Sequence, residues 1–201
     1  MKKFGTAIIL AGGKSFRMGF DKQFLQISEK RLMEDIISHL ETEFEDIVVV
    51  TNKLEEYQNF SYRITSDIYK DVGPLGGVHA GLSISNSKFA FVVACDMPKL
   101  NMNYIRYMKN TLDEDKLGIA TRIGEYIEPF SAFYSIEMIE YIDRYIDSNQ
   151  RSITKFLGQM DIDLIEEKKV KEYSPNLDIF LNLNTKEDLD NYIAYIDNKY
   201  K

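Results

Sequence analysis

Short apolar runs alternate along the chain with longer stretches in which apolar residues recur every three or four positions. Thr6 to Leu10 is a β-branched run of strand length. Lys30 to Phe44 follows with helical period and places Leu32, Met33, Ile36, Ile37 and Leu40 on one face. Valine-rich Asp46 to Thr51 predicts a second buried strand, and Tyr62 to Thr65 a short third. Asp67 to Gly77 is a glycine-rich loop that opens a helix carrying Val78, Leu82 and Ile84. Phe89 to Cys95 is the most continuously apolar run, which places it at the centre of a sheet buried on both sides.

Beyond it, Asn101 to Leu112 reads as a helix and Leu117 to Arg122 as a strand. Phe130 to Ser135 reads as another strand, joined to the previous one through Gly124-Glu125 as an antiparallel hairpin. Ile136 to Ile146 and Ser152 to Met160 predict helices, Ile162 to Ile165 a short strand, and Ile179 to Thr185 the end of a last strand. Thr185 and Asp188 then fit a capping box ahead of Leu189, Tyr192, Ile193 and Ile196. Strands alternating with helices predict an α/β fold: one Rossmann-like, doubly wound domain over residues 1–201, with a mostly parallel central sheet and helices on both faces. No internal repeat, low-complexity tract or Pro/Gly/Ser-rich linker divides it.

Composition removes several function classes. Lys plus Arg number 25 against 32 Asp plus Glu, for a net charge of -7, which argues against a nucleic-acid binder. One cysteine, Cys95, cannot form an internal disulfide and fits a reducing compartment. With His39 and His79 as the only histidines, a zinc cluster would need mostly carboxylate ligands. The opening apolar run is too short for a signal-peptide core or a membrane span. A cytoplasmic protein without membrane contact is expected.

Against this acidic background the first strand ends in Gly12-Gly13, and Lys14, Arg17 and Lys22 follow within one loop length. Glycines let backbone N–H groups approach an anion and cations neutralise it, so residues 6–22 predict a polyphosphate cradle. Gly13-Lys14-Ser15 imitates the end of a Walker loop, but Ile8 stands where that motif needs its first glycine. Gly12, Gly13 and Gly19 also lack the Rossmann spacing. A tight strand-to-helix turn would account for the glycines but not for the cations.

Asp96 follows the central strand and precedes Met97-Pro98, at the end of the sheet where open α/β folds place ligands. Beside a triphosphate it is the natural Mg²⁺ ligand, because that ion takes one or two carboxylates and completes its shell with phosphate oxygens and water. Gly73, Gly76 and Gly77 let a nucleoside lie close to backbone, with Asp67 upstream to bond base or ribose. Asn182 and Asn184 alternate and face one side, as candidates for the acceptor, although Asn184 also suits a helix cap. His39, His79, Cys95 and the tyrosines Tyr141, Tyr145, Tyr192 and Tyr195 read as structural.

Taken together, Leu10-Ala-Gly-Gly-Lys-Ser15-x-Arg17-Met-Gly19-x-Asp21-Lys22, Gly73-Pro-Leu-Gly-Gly77, Cys95-Asp-Met-Pro98 and Asn182-x-Asn184-Thr185 with Glu187-Asp-Leu189 resemble the molybdenum cofactor guanylyltransferase family, MobA. Weaker similarity runs through Glu128-Pro129 to Tyr134 and Arg151-Ser152-Ile153. The resemblance implies a nucleotide-diphospho-sugar transferase-like fold and transfer of GMP from GTP to the terminal phosphate of molybdopterin, with release of pyrophosphate. It implies nucleotide contacts from Leu10, Ala11, Gly12 and Gly13, phosphate contact from Lys22 and guanosine contact from Asp67. Asp96 would contact nucleotide and Mg²⁺, and Asn52 or Thr51 would match the family's asparagine after the second strand.

Related cytidylyltransferases usually carry Ala in place of Gly12, which points to GTP. Arg17, Lys22 and Asp96 would carry catalysis by stabilising charge at the α-phosphorus and on the leaving pyrophosphate. No general base is needed, since the attacking phosphate is already anionic. Molybdopterin-carrying proteins or molybdoenzymes are the protein partners such an activity would suit. The alternatives are cytidylyl transfer to the same acceptor, nucleotidyl transfer to a sugar or polyol phosphate, or GTP binding by a molybdoenzyme chaperone without turnover.

Overall fold

The computed structural model describes residues 1–11, 22–57 and 60–199. Strands β1 (Lys2–Leu10), β2 (Asp46–Val50), β3 (Arg63–Thr65), β4 (Ser87–Ala94), β5 (Gly118–Ile123), β6 (Tyr126–Ser135) and β7 (Asp163–Glu166) form one sheet in the order β3-β2-β1-β4-β6-β5-β7. The apolar run predicted to be central is central. β3, β2, β1 and β4 run parallel, β6 runs antiparallel to both β4 and β5, and β5 is parallel to β7.

Period-two alternation inside β1 sends Ala7 and Ile9 to one face and Ile8 to the other, and all three are fully buried. On the first face lie α1 (Lys22–Leu40), α3 (Met102–Thr111) and α7 (Lys186–Lys199), whose Ile36, Met108 and Leu189 join Ile9, Phe91 and Phe133 in one core. On the second lie α2 (Pro74–Ser83), α4 (Met138–Asp147) and α5 (Ile153–Leu157), whose Val78, Ile142 and Phe156 pack with Ile8, Val92 and Tyr134. Burial on both faces explains why the central strands read as unbroken apolar runs. One further short helix, α6 (Glu167–Val170), follows β7.

Several boundaries differ from the sequence expectation: β1 begins at Lys2 rather than Thr6, β6 at Tyr126 rather than Phe130, and α5 ends at Leu157 rather than Met160. Helix α1 begins at Lys22 rather than Lys30. Its first residues, Lys-Gln-Phe-Leu-Gln, are mostly strong helix formers, although the apolar stripe starts later. The predicted last strand at Ile179 to Thr185 is absent. Leu177 adopts a left-handed conformation with φ 58°, and Asp178–Phe180 form a 3-10 turn. A single backbone bond, Leu183 N–H to the Asp96 carbonyl at 2.8 Å, then ties the segment to the end of β4. The capping box is present: Asp188 N–H donates to Thr185 Oγ1 at 3.1 Å and Thr185 N–H to Asp188 Oδ2 at 2.9 Å. Among the described residues no helix is long and apolar enough to cross a membrane.

Helix α2 crosses β1 at very short range. A Cβ built on Gly81 would stand 2.5 Å from Cγ2 of the fully buried Ile8 of β1. Gly81→Ala is therefore expected to destabilise the protein by about 1–3 kcal/mol through overpacking. The midpoint of urea unfolding should fall at constant m-value; an unchanged midpoint would show that α2 can lift off β1 freely.

Candidate active site

Parallel β3, β2, β1 and β4 all end at the same edge of the sheet, and most of the predicted site residues that are described lie along it. Leu10 closes β1, and its carbonyl accepts the Cys95 N–H at 3.1 Å. Ala11 donates its N–H to the Val50 carbonyl at 2.8 Å, which fixes the start of the glycine loop between β2 and β4. Lys22 is the first residue of α1. Gly12, Gly13, Lys14 and Arg17 lie outside the described residues.

The structure separates the two candidates after β2. Thr51 is buried, 1% exposed, and its hydroxyl accepts the Lys53 N–H at 3.1 Å. Asn52 faces outward and forms a reciprocal pair with Asp67. Its Nδ2 donates to Asp67 Oδ2 at 2.9 Å, and its Oδ1 accepts the Asp67 N–H at 3.3 Å. The Asp67 carboxylate also lies against the first turn of α2, with Oδ1 3.5 Å from where a Cβ on Gly77 would stand. An acidic group so close to a helix N-terminus is favourably placed. Gly73 caps that helix with φ 71°, a left-handed conformation that costs glycine little, and Pro74 follows at the first turn.

Asp96 sits two residues past the end of β4, half-buried, with its carbonyl holding Leu183. That bond brings Asn182 and Asn184 to the same edge, both exposed and linked by Asn184 Nδ2 donating to the Asn182 carbonyl at 3.4 Å. A groove of about 810 Å³ runs along α7 and the 173–183 segment, lined by Tyr173, Tyr192 and Tyr195. It shares only Asn182 with the predicted residues that are described, so its size does not make it the centre of the site.

Sequence reasoning gave no role to Glu128. Strand β6 enters beside the exit of β4, with Val92 opposite Ala132 in the shared register. The Glu128 carboxylate there accepts the Phe130 N–H at 3.3 Å. Burial pushes its carboxyl up from the ordinary 4.5 to about 7; the Phe130 hydrogen bond opposes the rise, and the charge of Asp96 adds to it. A carboxylate two residues ahead of the apolar run Phe130 to Ser135 was the available signal. The edge thus offers backbone groups at the β1 terminus, an outward-facing Asn52–Asp67 pair, and two carboxylates whose oxygens are hard donors suited to Mg²⁺-like ions.

This is the architecture of nucleotidyltransferases. The structure of molybdopterin-guanine dinucleotide biosynthesis protein A from Archaeoglobus fulgidus superposes with a TM-score of 0.73, covering 96% of this chain and 99% of that one at 22% identity. The chain belongs to the MobA-like NTP transferase family, whose model matches residues 7–163. A relative from Peptoclostridium acidaminophilum, named "Probable molybdenum cofactor guanylyltransferase", is 45% identical over 95% of this chain and 89% of its own length. Another from Syntrophotalea carbinolica, named "Molybdenum cofactor guanylyltransferase", is 42% identical over 94% and 91%.

The Glu128 carboxyl yields a pH prediction. Its folded pKa lies above the unfolded one, so its stabilising proton is fully present below about pH 4.5 and lost as pH rises through about 7. In metal-free buffer, Glu128→Gln should gain on wild type across that window by about 3 kcal/mol, read from urea unfolding at a series of pH values. Parallel stability curves for the two proteins would refute the burial effect.

Proposed function

We propose that this protein is a molybdenum cofactor guanylyltransferase, transferring GMP from GTP to the terminal phosphate of molybdopterin with release of pyrophosphate. The observation that carries the reading is the convergence of Leu10, Ala11, Asn52, Asp67 and Asp96 on one strand edge. Relatives bearing that name align over nearly the whole chain. Leu10, Ala11, Gly12 and Gly13 would present backbone to the triphosphate, Arg17 and Lys22 would neutralise it, and Asn52 with Asp67 would bond the guanosine. Gly73 would let the nucleoside approach the loop, and Asn182 with Asn184 would face the acceptor.

A divalent metal fits the donor set. Among the described residues no group of three or more His, Cys, Asp and Glu could hold a metal alone, which suits an ion that needs nucleotide oxygens to complete its shell. Asp96 would hold it, and Mg²⁺ is the ion its oxygen chemistry favours. When bound, such an ion polarises phosphoryl oxygens and offsets charge on the leaving group. The protein's own part is positional. Ala11 is tied to β2, Cys95 to the end of β1, and Asp96 to the segment at Leu183, so nucleotide and acceptor would meet in a fixed geometry with little reorganisation on attack at the α-phosphorus. The acceptor phosphate is anionic at neutral pH and needs no base.

The test is pyrophosphate release with each nucleoside triphosphate, with and without molybdopterin. Turnover is expected with GTP only when molybdopterin is present. Lys22→Ala and Asp96→Ala should each slow it about 100-fold or more while circular dichroism stays native. Turnover with CTP and not GTP, or near wild-type rates in folded Asp96→Ala, would overturn the assignment.

A further inference from the structure

The loop that carries Asp67 is anchored on the side away from the nucleotide. Residues 66–73 leave β3 and turn into α2 through two left-handed positions, Asp71 at φ 61° and Gly73 at φ 71°. A non-glycine residue in that region is strained, so other contacts must hold the loop. Ile68, next to Asp67, is 62% exposed and supplies little of that hold.

Tyr69 supplies it. Its hydroxyl donates to Asp143 Oδ1 at 2.8 Å, reaching helix α4, 74 residues further along the chain. His79, in α2 and only 5% exposed, places Nε2 2.9 Å from the same oxygen. The tyrosine and imidazole rings meet edge to face with centroids 5.0 Å apart. With the hydrogen on Nε2, both groups donate to one carboxylate oxygen, which can accept two hydrogen bonds. The Tyr69 hydroxyl pKa is raised, first by that hydrogen bond and then by desolvation, so it remains a donor.

The backbone of Tyr69 is equally confined. Its carbonyl lies 3.0 Å from where a Cβ on Gly76 would stand, on the same helical turn that meets the Asp67 carboxylate. Loop, helix α2 and helix α4 thus meet at Asp143, and the loop residue held there, Tyr69, is two residues in sequence from Asp67, the side chain assigned to the nucleoside.

We propose that Tyr69, His79 and Asp143 are positioning residues that hold the 66–73 loop so that Asp67 meets the nucleoside, setting nucleotide affinity without taking part in phosphoryl transfer. The inference rests on the reading that Asp67 contacts GTP. It requires coupling between the α4 face and the nucleotide edge, which a purely packing role for these residues would not give.

The experiment uses the full chain and two readouts. Without nucleotide, hydrogen exchange of the 67–73 amides should quicken in Tyr69→Phe and Asp143→Ala. Asp143→Asn, which keeps an acceptor for both donors, should stay near wild type. With Mg²⁺ present, a fluorescent GTP analogue should bind about five- to tenfold more weakly to Tyr69→Phe and Asp143→Ala, and within about twofold of wild type to Asp143→Asn. In turnover the loss should fall on KM, with kcat at saturating GTP changed less than about twofold. Glu140→Gln, an exposed change on the same helix, should alter neither readout. Lowered melting temperature with unchanged GTP affinity, or unchanged loop exchange in Tyr69→Phe, would overturn the clamp while leaving GTP use intact. Failure of the wild-type protein to bind GTP would overturn the nucleotide reading and the clamp with it.

Discussion

The parallel pairing of β1 with β4 is the constraint on which the rest depends. Their registers run from Thr6 opposite Ala90 to Leu10 opposite Ala94, and the pairing continues one step further as Cys95 N–H bonds the Leu10 carbonyl. Both strands are buried on both faces, so a slip by one residue would exchange the side chains of two separate cores. That register holds the mouth of the glycine loop and Asp96 side by side. The Ala11 bond to Val50 then extends the same alignment to β2 and the Asn52–Asp67 pair. Hydrophobic burial in the sheet thereby becomes geometry at its edge, with no separate framework needed for the site.

The antiparallel strand β6 changes the character of that edge. Because it runs against β4, it starts where β4 finishes, and Glu128 arrives beside Asp96. Two half-buried carboxylates whose charges act on one another are poorly tolerated as a pair of bare charges. A divalent cation with a triphosphate would relieve that conflict. The same edge is steadied from behind by α4, where Asp143 gathers Tyr69 and His79.

Much of this was legible in the sequence, for reasons that differ by element. The central position of β4 followed from its unbroken apolar run, because only a strand covered on both faces can be apolar throughout. The α7 cap was readable because Thr185 and Asp188 satisfy each other locally. Asn182-Leu183-Asn184 alternates like a strand but makes one backbone bond to the sheet, and alternation cannot reveal whether a partner edge is available. Thr51 and Asn52 were indistinguishable until burial of the threonine left the asparagine to meet Asp67. Glu128 and the Tyr69–Asp143 contact escaped because they depend on which distant strands and helices become neighbours.

The central claim is that nucleotide phosphates lie between the end of β1 and Asp96. A crystal structure grown with GTP and Mn²⁺ tests it most directly, through the manganese anomalous signal. The account predicts a peak within coordination distance of the Asp96 carboxylate, with the triphosphate along residues 10–13 and the guanosine beside Asn52 and Asp67. A nucleotide and metal found instead in the groove between α7 and the 173–183 segment would contradict it.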